Sequence, residues 1–308
     1  MKVGILFPGQ GSQYAGMADP WASHPAGRAT LDECSAALGW DVVAACRDED
    51  GLADTAVVQP VLYACDLAAF RVLEAEGVSF AIAAGHSLGE FVALAAAGAT
   101  APIPTLEAVT ERGRAMHEAA EVNPGAMSAL VGIGADEARE IVGIAGRGDV
   151  LTVANENSPK QTVVSGSIPA VERAEELAHS RRAKAVRLKV GGGFHSPLMQ
   201  QALEPVRRAI ARLAFEAPRI PVVPNASGRP TDHPYALRDL LSRHLVSPVR
   251  WERSVRAMAD AGVEMFVEAG PGDVLAKLVK RSVSGARAVS VGSPAEAQAL
   301  AAELGVRT

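Results

Sequence analysis

Phe80-Ala81-Ile82-Ala83-Ala84-Gly85-His86-Ser87-Leu88-Gly89-Glu90-Phe91-Val92-Ala93-Leu94-Ala95-Ala96-Ala97 reads as a short apolar strand, a glycine-flanked turn and a helix that is apolar almost all round. Such a strand is buried on both faces, as in a parallel sheet, and such a helix has no face for water. The same rhythm occurs twice more. Val3 to Phe7 runs into Pro8-Gly9-Gln10-Gly11. Met265 to Ala269 runs into Gly270-Pro271-Gly272, after which Val274, Leu275, Leu278 and Val279 recur at helical spacing. Repeated strand, glycine turn and helix predict an α/β fold with a mainly parallel sheet, of the α/β-hydrolase-like kind.

Between these units the pattern changes. Met127–Ile133 reads as a strand, Asp136–Val142 as a helix, Leu151–Ala154 and Gln161–Ser165 as strands, Pro169–Ser180 as a helix and Ala185–Val190 as a strand. That order, βαββαβ, predicts a ferredoxin-like subdomain. Pro124-Gly125 and Gly191-Gly192-Gly193 bracket it as natural crossover points. The expected organisation is a discontinuous catalytic domain of residues 1–124 and 191–308 with an inserted subdomain of residues 125–190.

Composition limits the function. The 308 residues carry a net charge of −5, 48% hydrophobic and 21% charged residues, and only 4% aromatics. This is a globular composition with an aliphatic core. No Lys/Arg block interleaved with aromatics is present, which argues against a nucleic-acid partner. No uninterrupted apolar run reaches the ~18 residues of a membrane span. The N-terminal apolar stretch is too short for a signal peptide, so a cytoplasmic location is expected. Cys34, Cys46 and Cys65 lack CxxC spacing and read as buried thiols, and no metal site is expected.

Gly85-His86-Ser87-Leu88-Gly89 fits G-x-S-x-G in the strand–turn–helix context that gives the motif its chemistry. A nucleophilic serine must project Oγ from a sharp bend, and the helix start behind it offers amides to an oxyanion. Serine also needs a base. His24 and His233 lie in polar, proline-containing loops, His117 and His179 lie on charged helices, and His86 sits inside the turn. His195 stands apart. It follows three glycines and Phe194 and precedes Ser196-Pro197, a helix cap and first-turn proline. His244 is the remaining candidate. No Asp or Glu announces itself as the group orienting His195, and a backbone carbonyl serves equally well.

Seven blocks together carry a resemblance: Phe7 to Gln13, Gly85 to Glu90, Arg112-Gly113-Arg114-Ala115-Met116, Asn155-Glu156-Asn157-Ser158-Pro159, Phe194 to Met199, Pro248-Val249-Arg250-Trp251, and Glu268 to Gly272. In this order, over nearly the whole chain, they resemble malonyl-CoA:acyl carrier protein transacylases and polyketide-synthase acyltransferases. The resemblance implies Ser87 as the acylated residue, His195 as its base, the amides of Gln10 and Leu88 as oxyanion hole, and Arg112 as the grip on the malonyl carboxylate. A planar guanidinium suits that task because it can hold a carboxylate through two parallel bonds. Phe194 beside the base and Leu88 beside the nucleophile resemble malonyl-selective members, and Asn155 and His244 are expected to line the substrate. The implied reaction is a ping-pong transfer from malonyl-CoA to an acyl carrier protein in fatty-acid or polyketide biosynthesis, without a cofactor.

The sequence departs from the family at two places. His244 stands where glutamine is common, and Ala101-Pro102-Ile103-Pro104 suggests a stiff loop ahead of the arginine helix. Arg181, Arg182, Lys184, Arg187 and Lys189, with Lys277, Lys280 and Arg281, are candidate cations for an acidic carrier protein. Two other function classes share parts of the pattern: a serine hydrolase, such as a thioesterase editing acyl carriers, and a non-catalytic carrier-binding scaffold. Arg112 separates the transferase from the hydrolase, since a hydrolase of neutral acyl chains has no use for a cation there.

Overall fold

The computed structural model describes residues 1–306. Its elements, in chain order, include β1 (Val3–Phe7), α1 (Thr55–Ala75), β2 (Ile82–Gly85), α2 (Gly89–Ala96), α3 (Pro102–Val122), β3 (Ala126–Val131), α4 (Ala135–Gly146) and β4 (Leu151–Ser158). There follow β5 (Gln161–Gly166), α5 (Ile168–Ser180), β6 (Lys184–Arg187), α6 (Gln200–Ala211), β7 (Val222–Val223), α7 (Trp251–Asp260), β8 (Met265–Ala269), α8 (Val274–Ser282) and β9 (Arg287–Val291). Two sheets form. The larger has the order β7-β2-β1-β8-β9 with every neighbouring pair parallel.

The three strands read from the sequence, β1, β2 and β8, occupy the middle of that sheet, where every residue is buried. Continuous apolar runs are what a strand covered on both faces requires. Edge strands β7 and β9 were not foreseen: β7 has only two residues between Pro221 and Pro224, and β9 is half-exposed. The helix α1 is long and apolar enough to cross a membrane, but most of its length is buried in the core.

The smaller sheet is antiparallel, in the order β4-β5-β3-β6, and is drawn entirely from residues 126–187. With α4 and α5 it realises the βαββαβ order, and its own core contains Leu130, Ile141, Val164 and Ala174. The chain enters and leaves it at one place. A methyl group on Gly125 would lie 2.8 Å from the Gly193 nitrogen, so the two crossover glycines touch. Main-chain bonds also tie β4 to the segment leading into α7: Val249 N donates to Ala154 O and Glu156 N to Val249 O, both at 2.8 Å.

One expectation is corrected. Pro102 and Pro104 do not form a loop; they lie in the first turn of α3. There the amides that proline lacks have no intrahelical partner to lose, so the ring's fixed φ starts the helix. The cysteines are free and buried, with the Cys46 and Cys65 sulfurs 3.6 Å apart.

Candidate active site

Ser87 sits between β2 and α2 with φ 52°, and His195 has φ 55°. They are two of the four non-glycine residues in left-handed conformation among the described residues. Such a backbone costs of order 1–3 kcal/mol and persists only where its surroundings fix it. Here glycines allow the bend. A methyl group at Gly85 would overlap the Gly89 carbonyl, one at Gly89 would overlap the Phe7 carbonyl, and one at Gly9 would overlap that of His86. The β1 loop and the serine turn therefore pack backbone against backbone.

The strain aims two side chains at each other. Ser87 Oγ lies 2.8 Å from His195 Nε2. The opposite ring nitrogen, Nδ1, lies 3.2 Å from the carbonyl of His244 and 3.1 Å from that of Ser247, so both can accept its proton. This fixes the tautomer with Nε2 as acceptor. Arg112, on α3, donates through Nη2 to the same Ser87 Oγ at 3.1 Å and through Nη1 to Gln59 Oε1; its Nε has no partner and its guanidinium lies 5.7 Å from the Phe91 ring centre.

Burial sets the charges. Arg112 is 1% exposed, and burial lowers its pKa to about 10, with Glu90 opposing the shift. His195 is pushed down to about 3, first by burial, then by the Arg112 cation and His86. Burial likewise drives His244 well below the usual imidazole range, and Arg112, His195 and His86 add to it. Glu90 is raised by burial to about 8, against the Asn225 amide and Arg112. At neutral pH the site therefore holds a neutral imidazole, a cation and a largely protonated carboxyl.

The other expected residues are placed less centrally. The amides of Gln10 and Leu88 lie on the two loops that meet at Gly9, and neither donates to an acceptor among the described residues. Phe194 is buried beside the triglycine turn, where a methyl on Gly192 would lie 3.1 Å from its ring and 2.7 Å from Ala120. Asn155 lines a cleft of about 430 Å³ between the sheets, together with Gln10, His86, Asn157, Lys189 and Val274. His244 packs edge-on to His195 with the ring centres 5.1 Å apart; like Ser87, Arg112 and His195, it is not among the residues that line that cleft.

Three further contributors were not singled out from the sequence, although Asn157 lies within one of the seven blocks. Asn225 accepts from Ser87 N at 2.7 Å and donates from Nδ2 to Gly85 O at 2.6 Å. Gln59 receives Arg112, and Asn157 lies 2.9 Å from His86 Nε2. Gln59 did leave a signal, an amide near the start of a largely apolar helix.

A family model described as acyl transferase domain matches residues 5–303. The chain belongs to the acyl transferase family. This bears out the resemblance carried by the seven sequence blocks. The malonyl CoA-acyl carrier protein transacylase of Escherichia coli (strain K12) is 40% identical over 308 residues, covering 98% of this acyl transferase and 99% of the relative. The solved malonyl CoA-acyl carrier protein transacylase of Coxiella burnetii superposes with a TM-score of 0.95 at 35% identity, over 99% of this chain and 98% of that one. A malonyl-transacylase solved in complex with a type II PKS acyl-carrier protein superposes with a TM-score of 0.94 at 34% identity, over 99% and 100% of the two chains.

The structure divides the acyl transferase's candidate docking cations. Arg181 is paired with Glu137 and Glu140, Arg187 with Glu175 and Glu172, and Lys277 with Asp273. Arg182, Lys184, Lys189 and Lys280 have no acidic partner among the described residues, and Arg281 bonds only Gln161, a cleft residue.

Proposed function

We propose that this acyl transferase moves a malonyl group from malonyl-CoA to the phosphopantetheine thiol of an acyl carrier protein, through a malonyl-Ser87 intermediate, in fatty-acid or polyketide biosynthesis. One observation carries the assignment of roles: a single oxygen, Ser87 Oγ, faces both the His195 acceptor nitrogen and the Arg112 cation. His195 takes the hydroxyl proton as Oγ attacks the thioester carbon. The Gln10 and Leu88 amides receive the oxyanion, each such donor being worth roughly 2.7–4 kcal/mol. The C–S bond then breaks, and His195 returns the proton to the departing thiolate of coenzyme A. The carrier thiol enters by the reverse sequence, giving its proton to His195 and displacing Ser87.

Arg112 holds the free carboxylate. Gln59 occupies Nη1, so the fork for a bidentate grip is formed by the partnerless Nε and by Nη2, which already faces Ser87 Oγ. Leu88 and Phe194, both buried, leave little give for an α-methyl branch, although one methylene discriminates by only ~1–3 kcal/mol. Asn155 contributes to the cleft that takes the pantetheine arm. We place the enzyme in the cytoplasm, where coenzyme A thioesters are made, and no cofactor is required, since every proton in the scheme has a donor and acceptor among these groups.

Intact-mass measurement after incubation with malonyl-, methylmalonyl- and acetyl-CoA tests the reading. A malonyl adduct that maps to Ser87, disappears in Ser87→Ala and is discharged by holo-carrier protein is the expected result. An adduct lost to water as fast without carrier as with it would make the chain a thioesterase, and no adduct at all would leave only a scaffold role.

A further inference from the structure

Behind the serine and histidine runs a chain of buried polar groups that returns to its starting point. Ser87 N donates to Asn225 Oδ1 at 2.7 Å, and Asn225 N donates to Glu90 Oε2 at 3.0 Å. Glu90 Oε2 lies 3.7 Å from His244 Nε2. The His244 carbonyl accepts from His195 Nδ1 at 3.2 Å, and His195 Nε2 faces Ser87 Oγ at 2.8 Å. Glu90, Asn225, His195 and His244 are each at most 4% exposed. Only one link is not already a hydrogen bond, that between Glu90 and His244. At that link His244 Nε2 is a buried nitrogen without a partner.

We propose that Glu90 and His244 are positioning residues: a single proton on the Glu90 carboxyl is donated to His244 Nε2, closing a ring that holds the Ser87 turn and the His195 imidazole in one frame. An orphaned buried acceptor costs about 1–3 kcal/mol, and the carboxyl hydrogen is the donor within reach. The titratable and charged groups facing the pair are Arg112 from α3, His195 from the turn after the three glycines and His86 from the serine turn. All three disfavour a proton on His244, and burial favours one on Glu90, which is raised to about 8. His244 thus acts through His195 and does not touch substrate, in contrast to its expected place along the acyl group. The proposal rests on Ser87 and His195 being the reacting pair.

The test is the rate of Ser87 acylation by malonyl-CoA against pH and substrate concentration, in Glu90→Gln, His244→Gln, His244→Ala and the double variant Glu90→Gln/His244→Ala. Opening the ring in His244→Ala is expected to lower kcat by roughly 10- to 100-fold with KM for malonyl-CoA unchanged, the scale of loss that a small misplacement of reacting groups produces. His244→Gln, whose amide can again reach Glu90, recovers most of that loss, and the double variant is no slower than His244→Ala. Wild-type acylation falls above pH 8 as the shared proton leaves, whereas Glu90→Gln, which keeps a donor at every pH, does not. If the wild type is acylated on Ser87 and His244→Ala keeps its kcat, or Glu90→Gln keeps the alkaline fall, the proposal is overturned alone. If the wild type forms no Ser87 adduct, the proposal is overturned together with the functional reading.

Discussion

Arg112 Nη2 stands 3.1 Å from Ser87 Oγ, the same oxygen that faces His195 Nε2. A cation so close to a nucleophile and its base disfavours the imidazolium, and it does so in a site where little water is present to screen it. The arginine thus bears on the protonation of His195 as well as on the malonyl grip proposed for it.

For acid tolerance, the sign follows from His195, whose pKa of about 3 lies below the ordinary value of 6.5. The imidazole stays a base down to acidic pH. Labelling of Ser87 by a neutral fluorophosphonate should hold its rate from pH 8 to about pH 5. In Arg112→Ala the nearby cation is gone and His195 moves up, so the acid limb should shift to higher pH while staying below the ordinary imidazole value, because burial is the larger cause. A wild-type limb centred at an ordinary imidazole value would contradict the burial and charge argument.

Substrate choice should change in the same variant. Arg112→Ala removes the partner of the malonyl carboxylate, so the malonyl-to-acetyl ratio of kcat/KM should fall by two orders of magnitude or more, a loss of about 3 kcal/mol. Competition between the two CoA esters, read by intact mass, measures it. Arg112→Lys should recover only part, because an ammonium lacks the flat fork.

Asp66 provides a stability test away from the site. It is fully buried in α1, neither carboxyl oxygen has a partner, and burial with the nearby Glu268 holds its pKa well above the usual carboxylate range. The folded state therefore binds this proton more tightly than the unfolded chain, and the stability it confers is lost as pH rises through the folded pKa. Asp66→Asn should gain roughly 1–3 kcal/mol relative to wild type at pH 9, and less as the pH is lowered, in urea titrations. An unchanged difference across pH would show that the carboxyl does not titrate in the fold.

Docking can be separated by charge reversal. Lys280→Glu, at an exposed position without an acidic partner, should raise KM for the carrier protein several-fold and flatten its salt dependence, with malonyl loading unaltered. Arg181→Glu should have a much smaller effect, because Glu137 and Glu140 already neutralise that arginine. Equal responses from the two variants would remove the distinction.

The central strands, the serine turn and the βαββαβ insert were legible because each is a local pattern: an apolar run, a glycine pair, a period. His195 was legible for a similar reason, lying between a glycine run and a helix cap. Asn225 was not, since its partner is 138 positions away and nothing adjacent to it marks a site. His244 was read as substrate-facing because a second histidine near the site can contact the acyl chain or the pantetheine arm. That its side chain packs edge-on to Phe91 and His195 was not legible, because packing of that kind is decided by three elements at once. The docking cations were legible as residues but not as a surface, since only tertiary ion pairs determine which of them remain uncompensated.

The main-chain bonds between Ala154, Glu156 and Val249 reach further than they first suggest. The strand that walls the cleft and the carbonyls of His244 and Ser247 that steady the imidazole are two ends of one short tether. One short stretch of backbone, from His244 to Val249, thus both carries the acceptors of the His195 Nδ1 proton and pairs with the small sheet, so the frame of the imidazole and the wall of the cleft are built on the same turn of chain.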